Sequence, residues 1–194
     1  MTSLIGRKVT VKVPATSANL GPGFDTLGMA LSFYDELQVE AVAGSGAVVE
    51  VHGEGAGEVA TDESNLVVKS LAYTFEKFGQ KVPGLKLIAH NIIPHGRGMG
   101  SSGAAVVSGI VAAKGLLDGI VKISDQELLT IATELEGHPD NVAPALFGGL
   151  TIAWEDESGP HHKKLFVHRG VSPLALVPAH KMSTALARSL QPES

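Results

Sequence analysis

Three stretches of this chain carry residue types at spacings that could do chemistry. The first is Ile92-Ile93-Pro94-His95-Gly96-Arg97-Gly98-Met99-Gly100-Ser101-Ser102-Gly103-Ala104, with glycines at alternate positions, two serines and an apolar run behind them. Glycine lets the backbone turn and come close to a ligand, so that successive N–H groups converge on an anion. A helix starting there adds free donors and a partial positive charge. Ser101 and Ser102 can donate to a phosphate or offer oxygen to a magnesium ion. The plainer alternative is a helix start with a flexible turn and a serine cap. A P-loop requires Gly-Lys-Ser/Thr, and the chain contains no Gly-Lys pair. Gly98, Gly100 and Gly103 also satisfy G-x-G-x-x-G, the dinucleotide fingerprint, which needs a second parallel strand ending in an acid about 20 residues on. Asp118 lies near that distance, but Lys114–Asp118 is too short and glycine-flanked to make the strand.

The second stretch is Pro14-Ala15-Thr16-Ser17-Ala18-Asn19-Leu20-Gly21-Pro22-Gly23-Phe24-Asp25, which reads as a long polar loop after a strand, a usual place for a site. Asn19 offers donor and acceptor groups, and Asp25 a carboxylate able to hold an ammonium or a hydroxyl. Turn chemistry alone would also place Asn and Asp beside glycine. The third is Glu134-Leu135-Glu136-Gly137-His138-Pro139-Asp140-Asn141-Val142-Ala143-Pro144, which reads as the end of a helix and a tight polar turn. Carboxylate and hydroxyl oxygens there would suit Mg²⁺. As ordinary surface groups, His138 and Glu136 would need no function at all.

Together these stretches resemble the homoserine kinase branch of the GHMP kinases, which phosphorylate small-molecule alcohols with ATP. Pro94–Ala104 is similar to the family's phosphate loop, so the resemblance implies ATP contacts at Pro94, His95, Gly96, Arg97, Gly98, Met99, Gly100, Ser101, Ser102, Gly103 and Ala104. Asp62–Leu66 resembles the segment lining the adenine pocket, with Asn65 the contact. Pro14–Asp25 resembles the family's N-terminal signature, which makes Asn19 and Asp25 face L-homoserine, with Asp25 near the hydroxyl to be phosphorylated. Glu134 matches the magnesium-binding acid and Ser102 its partner, while His138 and Asn141 match substrate-side residues. Asp140 is expected to buttress the turn and Glu136 to be structural. Thr184 and Arg188 resemble a pair that reaches the site from the second domain, Arg188 gripping the amino-acid carboxylate. The catalytic set implied is Asp25, Ser102 and Glu134, with no strong general base. The competing functions are another GHMP kinase, a catalytically silent ligand sensor and, more distantly, an NAD-binding oxidoreductase.

The elements that must position these residues follow from periodicity. Lys8–Val13 alternates as a half-buried strand, and β character recurs at Leu37–Ala41, Ala47–Val51, Leu85–Ala89, Leu150–Trp154 and Leu174–Val177. Val67, Leu71, Phe75 and Phe78 form one helical stripe, with Asp62 or Ser64 available as a cap. Ser101–Leu117 is apolar nearly all round, the mark of a buried helix. Ser124 with Glu127 makes a capping box and Ile123 with Leu128 a staple for a helix that should stop near Gly137. Glu155–His162 reads as an exposed link. Clustered strands with intervening helices make an α+β fold. The resemblance makes it a GHMP-kinase N-terminal domain (ribosomal protein S5 domain 2-like) over 1–160. Residues 161–194 would then begin a ferredoxin-like C-terminal domain that is incomplete.

Composition excludes other classes. With 44% hydrophobic and 18% charged residues among 194, the chain can bury a core and is not disordered. The net charge of −5 without a Lys/Arg run disfavours nucleic acid as a partner. The absence of cysteine excludes disulfides and thiolate metal sites. Ser108, Gly109, Lys114 and Gly115 break the longest apolar stretch, and Lys8, Lys12, Pro14, Asn19 and Pro22 leave no signal peptide in the first thirty residues. A soluble cytoplasmic enzyme with no membrane partner is expected, with a homodimer as the assembly to test.

Overall fold

The computed structural model describes residues 4–179. The alternation that begins at Lys8 runs further than its apolar pattern. Strand β1 (Lys8–Leu20) and strand β2 (Gly23–Val42) form one long antiparallel hairpin, with Leu20 opposite Gly23 across Gly21 and Pro22. The stretch Pro14–Asp25, expected as a loop, is therefore the far half of a hairpin. Backbone pairing holds it, with register shifts between Pro14 and Thr16 and between Ala18 and Leu20. Those irregularities erase the alternation from which a strand is read.

Next come β3 (Ala47–Gly53), α1 (Leu66–Lys77) and β4 (Gly84–Asn91). β3 and β4 are parallel, so the chain must cross over between them, and α1 is the crossover. Helices α2 (Ser101–Leu116), α3 (Asp125–Glu136) and α4 (Pro139–Phe147) follow, and then the hairpin of β5 (Leu150–Asp156) and β6 (Gly159–Leu165). The sheet runs β3-β4-β2-β5-β6, with β1 also on β2. β2 reaches both halves by its length: Glu36–Val42 pairs with β4 and Leu27–Met29 with β5.

One face of the sheet is the core. Val11, Val13, Leu37, Val39, Leu85 and Leu87 alternate inward and meet Leu71 and Phe75 of α1 and Val106, Val107 and Ile110 of α2. Helix α2 is apolar all round because it is enclosed all round. Gly109 allows α1 to cross it closely, since a Cβ there would strike the Val67 carbonyl oxygen and stand 2.9 Å from Ser70 Cβ.

Local signals set the helix ends. Ser124 and Glu127 form the reciprocal capping box of α3, and Gly137 ends it in the left-handed region at φ 90°. The cap of α1 is Asn65 rather than Asp62 or Ser64, because Asp62 accepts from the Ser64 N–H and hydroxyl in the turn before it. The expected polar turn after Gly137 is the first turn of α4, with His138 as N-cap and Pro139 at its start, where a missing N–H costs nothing.

Two further expectations are corrected. Glu155–His162 is the β5–β6 hairpin, stapled by Asp156, whose Oδ1 accepts from the Ser158 N–H at 2.8 Å and its hydroxyl at 2.6 Å. β6 thus runs across residue 160, where the first domain was expected to end. Leu174–Val177 is not a strand, and Leu174 and Leu176 are exposed. Its apolar run is flanked by Pro173 and Pro178 and pairs with no strand among the described residues. Thr184 and Arg188 lie outside the described residues. No helix among those described is long and apolar enough to cross a membrane.

Candidate active site

At Asn91 the chain leaves β4 and runs through Ile92–Gly100 into α2. Gly96, Gly98 and Gly100 take φ of 66°, 73° and 68°, which side-chain-bearing residues rarely adopt. Gly100 is the N-cap of α2 and offers no side chain, so the helix's first N–H groups remain open to an anion. A Cβ on Gly100 would run into the Thr16 hydroxyl and lie 3.1 Å from Asn141 Oδ1. The loop is also tied to the hairpin, since the Thr16 N–H donates to the Met99 carbonyl at 3.0 Å.

This loop walls a cavity of about 680 Å³. An apolar set of side chains comes from β3, the turn after it and the start of α1: Val49, Val51, Val59 and Val67. A polar set comes from the hairpin and the α3–α4 junction: Asn19, Glu136, His138 and Asn141. Ser102, in the first turn of α2, donates to Glu136 Oε2 at 3.1 Å. Burial pushes the Glu136 carboxyl above its ordinary value, and the Ser102 hydroxyl and His138 offset part of that. His138 Nδ1 contacts Oδ1 of Asp140, which is fully buried beneath it. The Thr16 hydroxyl donates to Asn141 Oδ1 at 2.8 Å.

An apolar slot, a bed of N–H groups at a helix start and a carboxylate–hydroxyl pair suit a nucleoside polyphosphate with a hard cation. Residues 65–149 match the family model described as the GHMP kinases N terminal domain. Over that stretch the chain resembles the N-terminal domain of the GHMP kinases. It is 70% identical to the homoserine kinase of Clavibacter michiganensis subsp. michiganensis, over 97% of this chain and 60% of that protein. It is 69% identical to the homoserine kinase of Leifsonia xyli subsp. xyli, over 98% of this chain and 59% of that protein. The chain thus spans about three fifths of the length of these curated relatives. The crystal structure of homoserine kinase from Cytophaga hutchinsonii superposes with a TM-score of 0.79 at 29% identity, covering all of this chain and 62% of the other. The L. major mevalonate kinase, at 19% identity and a TM-score of 0.62 over 84% of this chain and 55% of the other, shares the fold.

Within this domain the two acids near the end of α3 point different ways. Glu134 does not meet Ser102. Its carboxylate accepts from the Tyr73 hydroxyl at 2.9 Å and the Lys77 ammonium at 3.0 Å, and Lys77 holds it below the ordinary carboxylate range. Two residues apart on a helix are turned by roughly 200°, so Glu134 and Glu136 cannot share a face. Glu136, expected to be structural, faces the loop.

Other expected residues divide similarly. Asn19 lines the cavity, whereas Asp25 is exposed beyond its wall. Both take positive φ (58° and 55°), and Asn19 Oδ1 accepts from the Asp25 N–H at 2.8 Å, so the two lock the hairpin end together. Asn65 borders the cavity with its amide already engaged: Oδ1 accepts from the Val67 N–H at 2.9 Å, and Nδ2 donates to the Ala60 carbonyl at 2.6 Å. Of the loop, His95 through Ser102 line the cavity, while Gly103 and Ala104 are buried in the next part of α2. Pro94 precedes the lining residues. The dinucleotide alternative fails, because α2 leads through Leu117–Ser124 into α3 with no strand between them. Thr16 was not singled out from the sequence, and only its place between loop and α4 distinguishes it from a strand threonine.

Proposed function

We propose that this chain is the nucleotide-binding part of a homoserine kinase, which transfers the γ-phosphoryl of ATP to the side-chain hydroxyl of L-homoserine and forms O-phospho-L-homoserine, a step of threonine biosynthesis in the cytoplasm. The observation that carries the reading is the glycine loop opening onto an uncapped helix start, with Ser102 and Glu136 joined at 3.1 Å beneath it. The similarity to homoserine kinases over 97% of the chain supplies the acceptor.

Phosphoryl transfer passes through a loose transition state, so positioning and charge neutralisation dominate. The N–H groups of Gly96–Ser102 would cradle the phosphates, and the apolar set around Val49 and Val67 would take the base. Asn65 shapes that pocket by capping α1. Asn19, His138 and Asn141 would hold the acceptor, with Asp25 acting through the hairpin end that it and Asn19 fix. Thr184 and Arg188 are proposed for the acceptor side by resemblance.

The residues present fit Mg²⁺. Ser102 and Glu136 offer one hydroxyl and one carboxylate oxygen, both hard donors, and Mg²⁺ takes its other positions from phosphates and water. No cluster of three His, Asp or Glu side chains occurs among the described residues, and this mode does not need one. When bound, the ion supplies neutralisation of charge on the transferring phosphoryl. Glu136, whose burial penalises its charge, is the acid that a cation would stabilise.

The test is ADP release with homoserine, mevalonate, galactose or no acceptor. It is run on this chain and on a version carrying the further length of its relatives. Homoserine-dependent ADP release in the longer form is expected, and ADP release with mevalonate or galactose in preference would sink the assignment.

A further inference from the structure

Pairing between β2 and β4 ends at Glu36 opposite His90. Beyond it the N–H groups of Ile92 and Ile93 have no strand partner. Both donate to one side-chain oxygen, Oδ1 of Asp35, at 2.7 and 2.9 Å. Asp35 is itself held by the sheet, opposite Val13 of β1, and it lies on the cavity wall. The next residue is Pro94, which has no N–H. Ile92 and Ile93 are thus the last donors before the glycine loop. The Ile93 side chain is fully buried while that of Ile92 is exposed, so an apolar plug holds one of the two residues and the carboxylate holds both.

We infer that Asp35 is a positioning residue for the nucleotide loop: its carboxylate replaces the missing strand partner and sets where the loop departs from β4. This rests on the reading that the loop holds the triphosphate. A carboxylate suits the task because one anionic oxygen can accept two N–H groups in charge-assisted bonds. Burial pushes the Asp35 carboxyl up, while the Ile93 and Ile92 N–H groups and His95 pull it down and Glu54 pushes it up. An acid retained against that desolvation is matched to the two donors it satisfies. Its charge would repel a triphosphate in direct contact, so it acts through the backbone and does not touch the ligand.

The test compares wild type, Asp35→Ala and Asp35→Asn by amide hydrogen exchange and by calorimetric titration with MgATP and with adenosine. In Asp35→Ala, exchange at Ile92 and Ile93 should rise about tenfold or more, with MgATP weakened roughly tenfold to a hundredfold, since both donors lose their charged acceptor. Adenosine, which lacks phosphates, should change less than about twofold. In Asp35→Asn the amide oxygen can still accept, so MgATP binding should return to within about fivefold of wild type. Wild-type exchange at Ile92 and Ile93 in Asp35→Ala overturns the anchor, and equal losses for adenosine and MgATP overturn the loop role. If Asp35→Ala does not fold, Asp35→Asn decides by degree: a neutral amide accepts more weakly than a carboxylate, so exchange at Ile92 and Ile93 but not at Leu87 should rise about two- to fivefold, and unchanged exchange overturns the charge-assisted anchor. A wild-type chain that binds no MgATP overturns the nucleotide-loop reading, leaving the exchange rates to decide the anchor alone.

Discussion

Replacing Glu136 by Gln should remove most of the magnesium dependence of ATP binding, whereas Glu134→Gln should leave it intact. The amide in Glu136→Gln can still accept the Ser102 hydroxyl, now at 3.1 Å from Glu136 Oε2, so the change isolates charge from shape. Glu136 is part-buried, which argues for an effective dielectric constant nearer 20 than 80. A carboxylate and a divalent ion about 4 Å apart then interact by about 8 kcal/mol before desolvation. Desolvation of both ions and replacement by water cancel most of that, leaving about 2–3 kcal/mol, or roughly 30- to 150-fold in affinity. Glu134 sits in a partly exposed pair with Lys77, a kind of contact that contributes little. The assay is ATP titration in saturating Mg²⁺ and again in EDTA for wild type and both variants. Glu136→Gln should lose its affinity only in Mg²⁺, with binding in EDTA changed less than about threefold. If Glu134→Gln loses the Mg²⁺ gain while Glu136→Gln keeps it, the assignment of the two faces of α3 is wrong.

Three other outcomes follow from local geometry. Gly100→Ala should cost about 1–3 kcal/mol in unfolding free energy and weaken ATP, because a Cβ at φ 68° meets Thr16; a wild-type melting temperature would count against it. Asn65→Ala should lower stability by about 1–2 kcal/mol in urea titrations, since the α1 cap is lost. Asp156 should titrate at about 2, held down first by the Ser158 hydroxyl and then by His161. Because its folded value is depressed, its contribution is complete above about 3.8 and is lost as pH falls from there through about 2. Carboxyl NMR should give that midpoint, and Asp156→Asn should flatten the pH dependence of melting in that window.

What could be read from the chain was what neighbouring residues decide. The Ser124–Glu127 box, the Gly137 stop and the alternation of Lys8–Val13 are local, and each stands where expected. The glycine loop was legible for the same reason. Which of two acids on α3 turns toward that loop is decided by how α3 packs, and the spacing of Glu134 and Glu136 carries no trace of it. Strand β6 escaped notice because Gly159-Pro160-His161-His162-Lys163-Lys164 is a polar edge strand with no buried alternation. Helix α4 was hidden by Pro139 and Pro144, the first of which starts it and the second of which lies inside it. Leu174–Val177 shows the opposite error, an apolar run with the right composition and no strand partner among the described residues. The work of Asp35 depends on where β2–β4 pairing stops, a property of register.

Thr16 holds the Met99 carbonyl with its N–H and Asn141 with its hydroxyl, and it is fully buried between them. The two sides of the cavity are therefore tied through Thr16 as well as through Ser102 and Glu136. Where a ligand that settles Met99 narrows the positions open to Asn141, one that fixes Asn141 must do the same in reverse. Linkage makes that influence equal in both directions, so whatever factor nucleotide adds to acceptor affinity, acceptor must return to nucleotide. The order in which the two arrive can then alter the rates of filling, while the free energy of the doubly filled state is the same by either route.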